Sequence, residues 1–422
     1  MMPIPYKKYI VLLYWDKTTW YALGALVASL KRHNIPYKVI KGDVIEYVQN
    51  LVLEGYHVIY GEASRNMTLN SLKNRLKGFR KKKLSSNLIT VIGGPQASGN
   101  PQEILEMGVD YVVIGEGEIT FPKLIQTLVI NNFQKESAHD ILGIAYQNSL
   151  GEVIRTPSRE RINLNEYCPY SDDIEFPLHP PIELMRGCAF RCRFCQVPYI
   201  YGNPRFRSID AVMKIVEHYI DHFKPLKKHT DIRFIAPNSL GYMEKKRGQP
   251  NVLALKDLVT HLKDYDIRLF FGTFPSEIRP EYITEETIDL FDDVYNTQIS
   301  VGFQSGSDRI LSEMRRGHTV SDGLNAFDLL ISHGLIPVFD FILGSPSETE
   351  AEQWETLSLI RELGNKAHVR LHYFMPLPGT PWESGTPVPL YPKIQKEIGR
   401  LAKDEIISGN FVKQFQFAFN EH

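Results

Sequence analysis

Cysteine is scarce in this chain, with four in 422 residues. Three of the four fall between positions 188 and 195. That crowding excludes a disulfide framework and favours metal ligation in a reducing compartment. Long apolar runs are missing as well. None approaches the roughly 18 to 20 residues that span a bilayer, and the opening MMPIPYKKYIVLLYW carries no charged segment followed by a cleavable apolar one. A cytoplasmic protein without a membrane span is expected. Neither sign of charge dominates: 48 basic residues meet 49 acidic ones, so no polyanionic partner is called for and no nucleic-acid binding is indicated.

What is present is alternation. YIVLLYW from Tyr9, YKVIKGD, HVIYGEA, LITVIGGPQ and YVVIGEGE are apolar strands separated by helical stretches, the first of them YALGALVASLKRHN. Continuously apolar strands in that order predict a parallel sheet, so residues 1–130 are expected to form a five-stranded, doubly wound, Rossmann-like domain. A polar connector over 131–180 contains a hairpin in ILGIAYQNSLGEVIRT and the proline-bearing NEYCPYSDDIEFPLHPP. A second alternation then begins with PIELMRG and adds strands over 231–238, 267–274, 296–306, 336–346 and 369–377. Six strands with intervening helices describe a partial (β/α)6 barrel over 181–385, with chemistry expected at the carboxyl ends of its strands. Between the first two, Ile209, Val212, Val216, Tyr219, Ile220 and Phe223 share one helical face. Residues 386–422 read as a helical tail with a packing role. The fold class is α/β throughout.

The basic run Lys73, Arg75, Lys77, Arg80, Lys81, Lys82 and Lys83 alternates with Leu72, Leu76 and Phe79 at helical spacing, so it reads as a solvated face over a core-facing stripe.

The three close cysteines are Cys188, Cys192 and Cys195, directly after the first barrel strand. Three thiolates in one loop can hold three irons of a cubane and leave the fourth open to chelate a small molecule, whereas a structural zinc would require a fourth ligand, from histidine or from Cys168. This C-x-x-x-C-x-aromatic-C pattern resembles the signature of radical S-adenosylmethionine enzymes. The resemblance implies a 4Fe-4S cluster, S-adenosylmethionine cleaved reductively to a 5'-deoxyadenosyl radical, and a one-electron donor such as flavodoxin or ferredoxin. It extends through VGFQSGSDRILSEMRRGHT, FDFILGSPSETEAEQ and PLPGTPW. It implies Phe194 beside the adenine and Gly344 at a glycine-rich strand end near the same base, while Gln304, Ser276 and Arg279 stand at strand ends facing the methionine and ribose parts. The second strand ends in Ala236-Pro237-Asn238-Ser239, where relatives carry an acidic residue for the methionine amino group. Asn238 or Ser239 is the substitute expected there.

Residues 9–126 are similar to the cobalamin-binding domain that precedes the barrel in one branch of these enzymes. The likeness rests on Ile92-Gly93-Gly94-Pro95-Gln96-Ala97 and Val112-Val113-Ile114-Gly115-Glu116-Gly117-Glu118. It implies cobalamin held at Gly93, Gly94, Gly115, Glu116 and Gly117. The loop Tyr14–Trp20 lacks the histidine that standalone cobalamin proteins place on cobalt, which implies a cobalt with no imidazole beneath it. The two-domain order implies a cobalamin-dependent C-methyltransferase acting on an unactivated carbon. Radical carbon-carbon coupling, cyclisation or rearrangement is the alternative, and a non-catalytic iron-sulfur redox or binding protein is the reading from another class. The sequence names no catalytic residue and no substrate.

Overall fold

The computed structural model describes residues 8–16, 18–84, 86–172, 180–223 and 229–420. Lys17 of the histidine-free loop, residues 173–179 of the connector and the Phe223 side chain lie outside the described set. The chain divides into two compact units, Met1–Pro177 and Leu178–His422.

In the first unit, β1 (Tyr9–Tyr14), β2 (Tyr37–Ile40), β3 (His57–Ala63), β4 (Leu88–Gly93) and β5 (Tyr111–Val113) are all parallel, in the spatial order β2-β1-β3-β4-β5. Their continuous hydrophobicity has a direct cause. Successive side chains leave a strand on opposite faces, and here both faces are covered by helices. Val11, Leu13, Ile59, Val91 and Val113 join one core with Leu23, Val27, Phe121 and Leu124. Leu12, Val58, Tyr60, Ile92 and Val112 join the other with Val48, Leu72, Leu76, Phe79 and Ile104. The basic helix Leu69–Lys81 therefore buries the stripe its sequence spacing predicts. Arg75 departs from the solvated face by turning in to pair with the buried Glu62 (Nε–Oε2 3.0 Å) and by lying 4.1 Å over the Tyr14 ring.

The hairpin expected in the connector does more than connect. β6 (Ile144–Gln147) adds antiparallel to β5, and β7 (Val153–Arg155) adds antiparallel to β6, making a mixed seven-stranded sheet. Ile144 and Ala145 are fully buried, so the edge that five strands would leave bare is covered.

In the second unit the first barrel strand is short and broken. β8 (Ile182–Glu183) runs parallel to the strand Asp231–Ile235, while β9 (Met185–Arg186) turns away to pair antiparallel with β10 (Arg205–Phe206). Gly187 makes the break possible: its φ is +87°, and a Cβ there would stand 2.4 Å from the Asn203 carbonyl oxygen. The barrel continues through β11 (Asp231–Ile235), β12 (Arg268–Phe270), β13 (Gln298–Gln304), β14 (Ile336–Leu343) and β15 (His368–Tyr373), with β11 parallel to β12, β13 to β14 and β14 to β15. Single parallel bridges, Ala236 to Ser276 and Ile278 to Val301, join the β8-β11-β12 group to the β13-β14-β15 group. The tail contributes a further parallel strand, β16 (Ile407–Ser408), and packs Phe411 and Phe415 edge-on to Tyr373. On the helix Ile209–Phe223, Val212, Val216 and Tyr219 are fully buried, as its apolar face predicts. Among the described residues no helix is long and apolar enough to cross a membrane.

Candidate functional site

The loop that follows the broken strand carries Cys188, Cys192 and Cys195, all free thiols. Three backbone bonds pin it: Cys188 N donates to Gly202 O (2.9 Å), Arg193 N to Met314 O (3.0 Å), and Trp382 N to Arg193 O (3.2 Å). Gln196 Nε2 also donates to Pro378 O (2.8 Å). The late PLPGTPW segment and the MRRGH turn are thereby drawn onto the cysteine loop. Burial raises the Cys188 thiol above its usual range and, with Cys192 beside it, pushes Cys195 up to about 12. Without metal these two side chains are therefore protonated, and iron binding displaces the protons.

Two buried arginines converge on Cys192. Arg316 Nη1 lies 3.5 Å and Arg279 Nη1 3.9 Å from its Sγ. Arg279 is locked on every side: its Nε bonds Glu281 Oε1 at 2.6 Å, its Nη2 donates to the Arg316 carbonyl, and its guanidinium sits 3.5 Å over the Phe190 ring. Expected at a strand end facing the ligand, Arg279 is here only 4% exposed and turned to the cysteine loop. His318 packs beside this pair. Burial, then Arg316 and Arg279, depress its pKa to about 2, so it stays neutral while its Nε2 hydrogen-bonds the Phe303 carbonyl at 3.0 Å.

The remaining expected residues group around the same barrel end. Phe194 and Ile342 pack with Ile310, Met314, Phe374 and Trp382 into an apolar wall. Gln304 ends β13 with a positive φ of +82°, unusual for a residue with a side chain. Gly344 ends β14 at φ +81°, and a Cβ there would meet the Tyr373 ring at 2.2 Å. The Gly344 N–H donates to Glu348 Oε2 at 2.5 Å. Ser276 Oγ is hydrogen-bonded to Ser239 Oγ, and both residues are 1% exposed or less. Asn238 Oδ1 accepts the Arg279 backbone N–H at 3.2 Å.

Four polar residues went unnoticed in the sequence. Asp340 on β14 accepts from His372 Nε2 at 3.0 Å and pairs with Arg370, both on β15, and Arg370 also lies 3.9 Å from Glu277. A signal was available, since Asp340, Arg370 and His372 interrupt strands that are otherwise apolar, with Arg370 and His372 two apart on one face.

In the first unit, Gly93 and Gly94 close β4 beside the fully buried Ser64, whose N–H donates to Gly93 O at 2.8 Å. Gln96 in the same turn is 5% exposed and its Oε1 has no partner among the described residues. After β5, Gly115 has φ +76° and nothing within 4 Å of where a Cβ would stand, and its N–H donates to Ser98 Oγ at 2.9 Å. Glu116 Oε2 accepts the Ile162 N–H at 2.8 Å, which ties the turn to the following segment. At Gly117 a Cβ would stand 2.8 Å from Leu26 Cδ2. The loop around residues 14–20 holds no histidine: His33 is exposed after its helix, and His57 stacks on Phe133 with ring centroids 4.3 Å apart.

The donor sets suit the groups the sequence implies. Among the described residues the three cysteine sulfurs do not all lie within 4.8 Å of one another, as ligands of a single ion would, and Cys168 joins no such group, which fits a multi-iron cluster over a zinc ion. Open space at Gly115 and the orphaned Gln96 acceptor fit the tail of a large ligand with hydrogen-bond donors.

Comparison with known proteins gives the class. Residues 182–360 match the radical SAM superfamily, and residues 18–125 match the B12 binding domain. The chain carries a radical SAM domain with a B12 binding domain ahead of it. The radical SAM domain implies a 4Fe-4S cluster and S-adenosylmethionine, and the first domain implies cobalamin. Among curated relatives, a putative methylthiotransferase of Methanocaldococcus jannaschii is 29% identical over 66% of this chain and 59% of its own length. A tRNA-2-methylthio-N(6)-dimethylallyladenosine synthase of Chromohalobacter salexigens is 31% identical over 47% of this chain and 44% of its own. The chain thus spans less than two thirds of these relatives. In fold it is similar to the radical S-adenosylmethionine methyltransferase TsrM of Kitasatospora setae (TM-score 0.67, 16% identity, 89% of this chain and 74% of that one). It is also similar to the cobalamin-dependent S-adenosylmethionine radical enzyme OxsB (TM-score 0.66, 16% identity, 95% and 56%).

Proposed function

We propose that this protein is a cobalamin-dependent C-methyltransferase acting on an unactivated carbon, supplied with electrons by a flavodoxin- or ferredoxin-like donor in the cytoplasm. The observation that carries the reading is the pairing in one chain of a B12 binding domain with a radical SAM barrel. Bound together, the cluster, S-adenosylmethionine and cobalamin supply one-electron cleavage of a sulfonium and carriage of a methyl group. The chain's own residues do the rest. Cys188, Cys192 and Cys195 hold iron, while Arg279 and Arg316 set positive charge against Cys192. Phe194 and Ile342 offer an apolar wall to a flat base. Gly115 leaves open space for cobalamin, with Gly93, Gly94, Glu116 and Gly117 in the turns on either side of it.

The relatives support a second reading, methylthio transfer, because two of them are named for it. One experiment separates the two. Reconstituted without oxygen and given reductant, cobalamin, cell extract and methyl-labelled S-adenosylmethionine, the protein should release 5'-deoxyadenosine and label one molecule that gains a methylene. A product that gains sulfur with the methyl overturns the first reading. Cluster reduction with no 5'-deoxyadenosine overturns both.

A further inference from the structure

We propose that Glu277, from the segment after the third barrel strand, accepts the amino group of S-adenosylmethionine. The proposal rests on the radical reading above and assigns a contact for which the side chains at the end of β11 are too deeply buried.

An amino group shows the protein only N–H donors, whether it is an ammonium or is bound to iron through its lone pair, so its protein partner must be an acceptor. Asn238 offers none. Its Oδ1 is taken by the Arg279 backbone N–H, and because a backbone N–H can only donate, the amide cannot be turned the other way round. What remains is Nδ2, a donor, buried without a partner and turned to Gly241, where an added Cβ would stand 2.8 Å from it. The Ser239 hydroxyl is fully buried and bonded to that of Ser276, beneath the surface a ligand would meet.

Glu277 is the next residue along, held by the Ser239 N–H on its carbonyl at 2.9 Å. Its side chain is 44% exposed, and its one ion pair among the described residues is the long contact to Arg370 at 3.9 Å. Protein nonetheless surrounds it closely enough that desolvation, then the Asp340 charge, raise its pKa. Its oxygens thus reach solvent while protein stands close around the rest of the side chain.

The neighbours define what fits there. Around the point where a Cβ on Gly302 would stand lie Gln304 Nε2 at 2.7 Å, Arg316 Nη2 at 3.1 Å and Glu277 Oε2 at 3.7 Å. One acceptor, Glu277 Oε2, and two donors, Gln304 Nε2 and Arg316 Nη2, thus gather over the bare face of Gly302, whose carbonyl also accepts from Arg316 Nη2 at 2.8 Å, and a ligand's amino group arriving there would meet the carboxylate. The same Arg316 reaches Cys192 with its other nitrogen, which fixes the spot beside the cysteine loop. A substrate amine is the other possible source of N–H donors, and the test uses ligands that exclude it.

The experiment measures binding to the reconstituted full chain without oxygen, using S-adenosylhomocysteine and its analogue lacking the α-amino group. Wild type should prefer the amino-bearing ligand at least tenfold. Glu277→Gln, with iron content unchanged, should weaken S-adenosylhomocysteine alone and bring the preference within twofold, while Asn238→Ala keeps it. If Glu277→Gln does not assemble its cluster, Glu277→Asp is read instead, and its shorter reach should cut the preference at least threefold. Equal weakening of both ligands, or a preference that survives either Glu277 variant, overturns the proposal and leaves the radical reading intact. A wild type that binds S-adenosylhomocysteine without regard to the amino group does the same. A wild type that binds neither ligand and yields no 5'-deoxyadenosine overturns both.

Discussion

Arg316 brings a guanidinium nitrogen to 3.5 Å from the Cys192 sulfur, across 124 positions of sequence. Reduction of a cluster adds negative charge, so a cation and an N–H donor at a ligating sulfur favour the reduced state and raise the potential. Arg316→Gln should lower the midpoint potential by about 59 mV, a tenfold change in the one-electron ratio. Titration followed by electron paramagnetic resonance reads it. An unchanged midpoint with full iron content would show that the guanidinium does not act on the cluster.

The three cysteines and Cys168 should behave oppositely. Cys188→Ala, Cys192→Ala or Cys195→Ala should abolish cluster absorbance and cleavage of S-adenosylmethionine, since two thiolates do not hold a cubane securely. Cys168 is exposed and joins no ligand group among the described residues, so Cys168→Ala should retain nearly all its iron. Equal iron loss in Cys168→Ala and Cys192→Ala would sink the open-iron arrangement.

The strands were legible because their signal is local. Leu12 and Leu13 read as one apolar run and then go to opposite cores, which is what a parallel sheet covered on both faces requires. Less legible was everything set by partners distant in sequence. The break after Ile182–Glu183 depends on the Asn203 carbonyl closing on Gly187, and β16 is a two-residue strand that exists only because β15 offers it an edge. The hairpin at Ile144–Arg155 was visible, but not its joining of the sheet, because nothing in its own sequence names β5 as partner. At the site, the cysteine spacing announced itself within eight positions, whereas Glu277 and Arg316 acquire meaning only when the barrel brings them around Gly302.

Two glycines of the first unit should separate folding from cofactor uptake. A Cβ on Gly94 would stand 2.7 Å from the Ser64 carbonyl oxygen, with φ at +90°, so Gly94→Ala carries a clash on top of the roughly 1–2 kcal/mol of left-handed backbone. Gly115 meets nothing within 4 Å, so Gly115→Ala costs only that backbone term. Urea midpoints should rank wild type, Gly115→Ala, then Gly94→Ala. Gly115→Trp should remain folded and fail to take up hydroxocobalamin by filling the open space. Bound to wild type, hydroxocobalamin should show no nitrogen ligation from below, because the loop around residues 14–20 has no imidazole. A nitrogen-ligated spectrum would contradict that assignment.

Glu348 makes stability depend on pH in a direction opposite to most carboxylates. It is 3% exposed at the end of β14, and burial raises its pKa to about 8 despite the N–H bonds it accepts from Gly344 and Ser345. In the unfolded chain a glutamate titrates near about 4.3. Between those values the native state keeps a proton that the unfolded state has lost, so the native state binds more protons and stability falls as pH rises. The contribution is whole below about pH 4.3 and is lost progressively up to about pH 8, amounting to a few kcal/mol and at most about 5. Glu348→Gln keeps an oxygen acceptor for the Gly344 N–H and removes the titration. Urea unfolding of both proteins from pH 5 to pH 8 should therefore show the wild type losing stability relative to Glu348→Gln as pH rises, with every other titrating group cancelling in the difference. Parallel curves would mean that Glu348 is already ionised in the fold and that its two backbone bonds outweigh its burial.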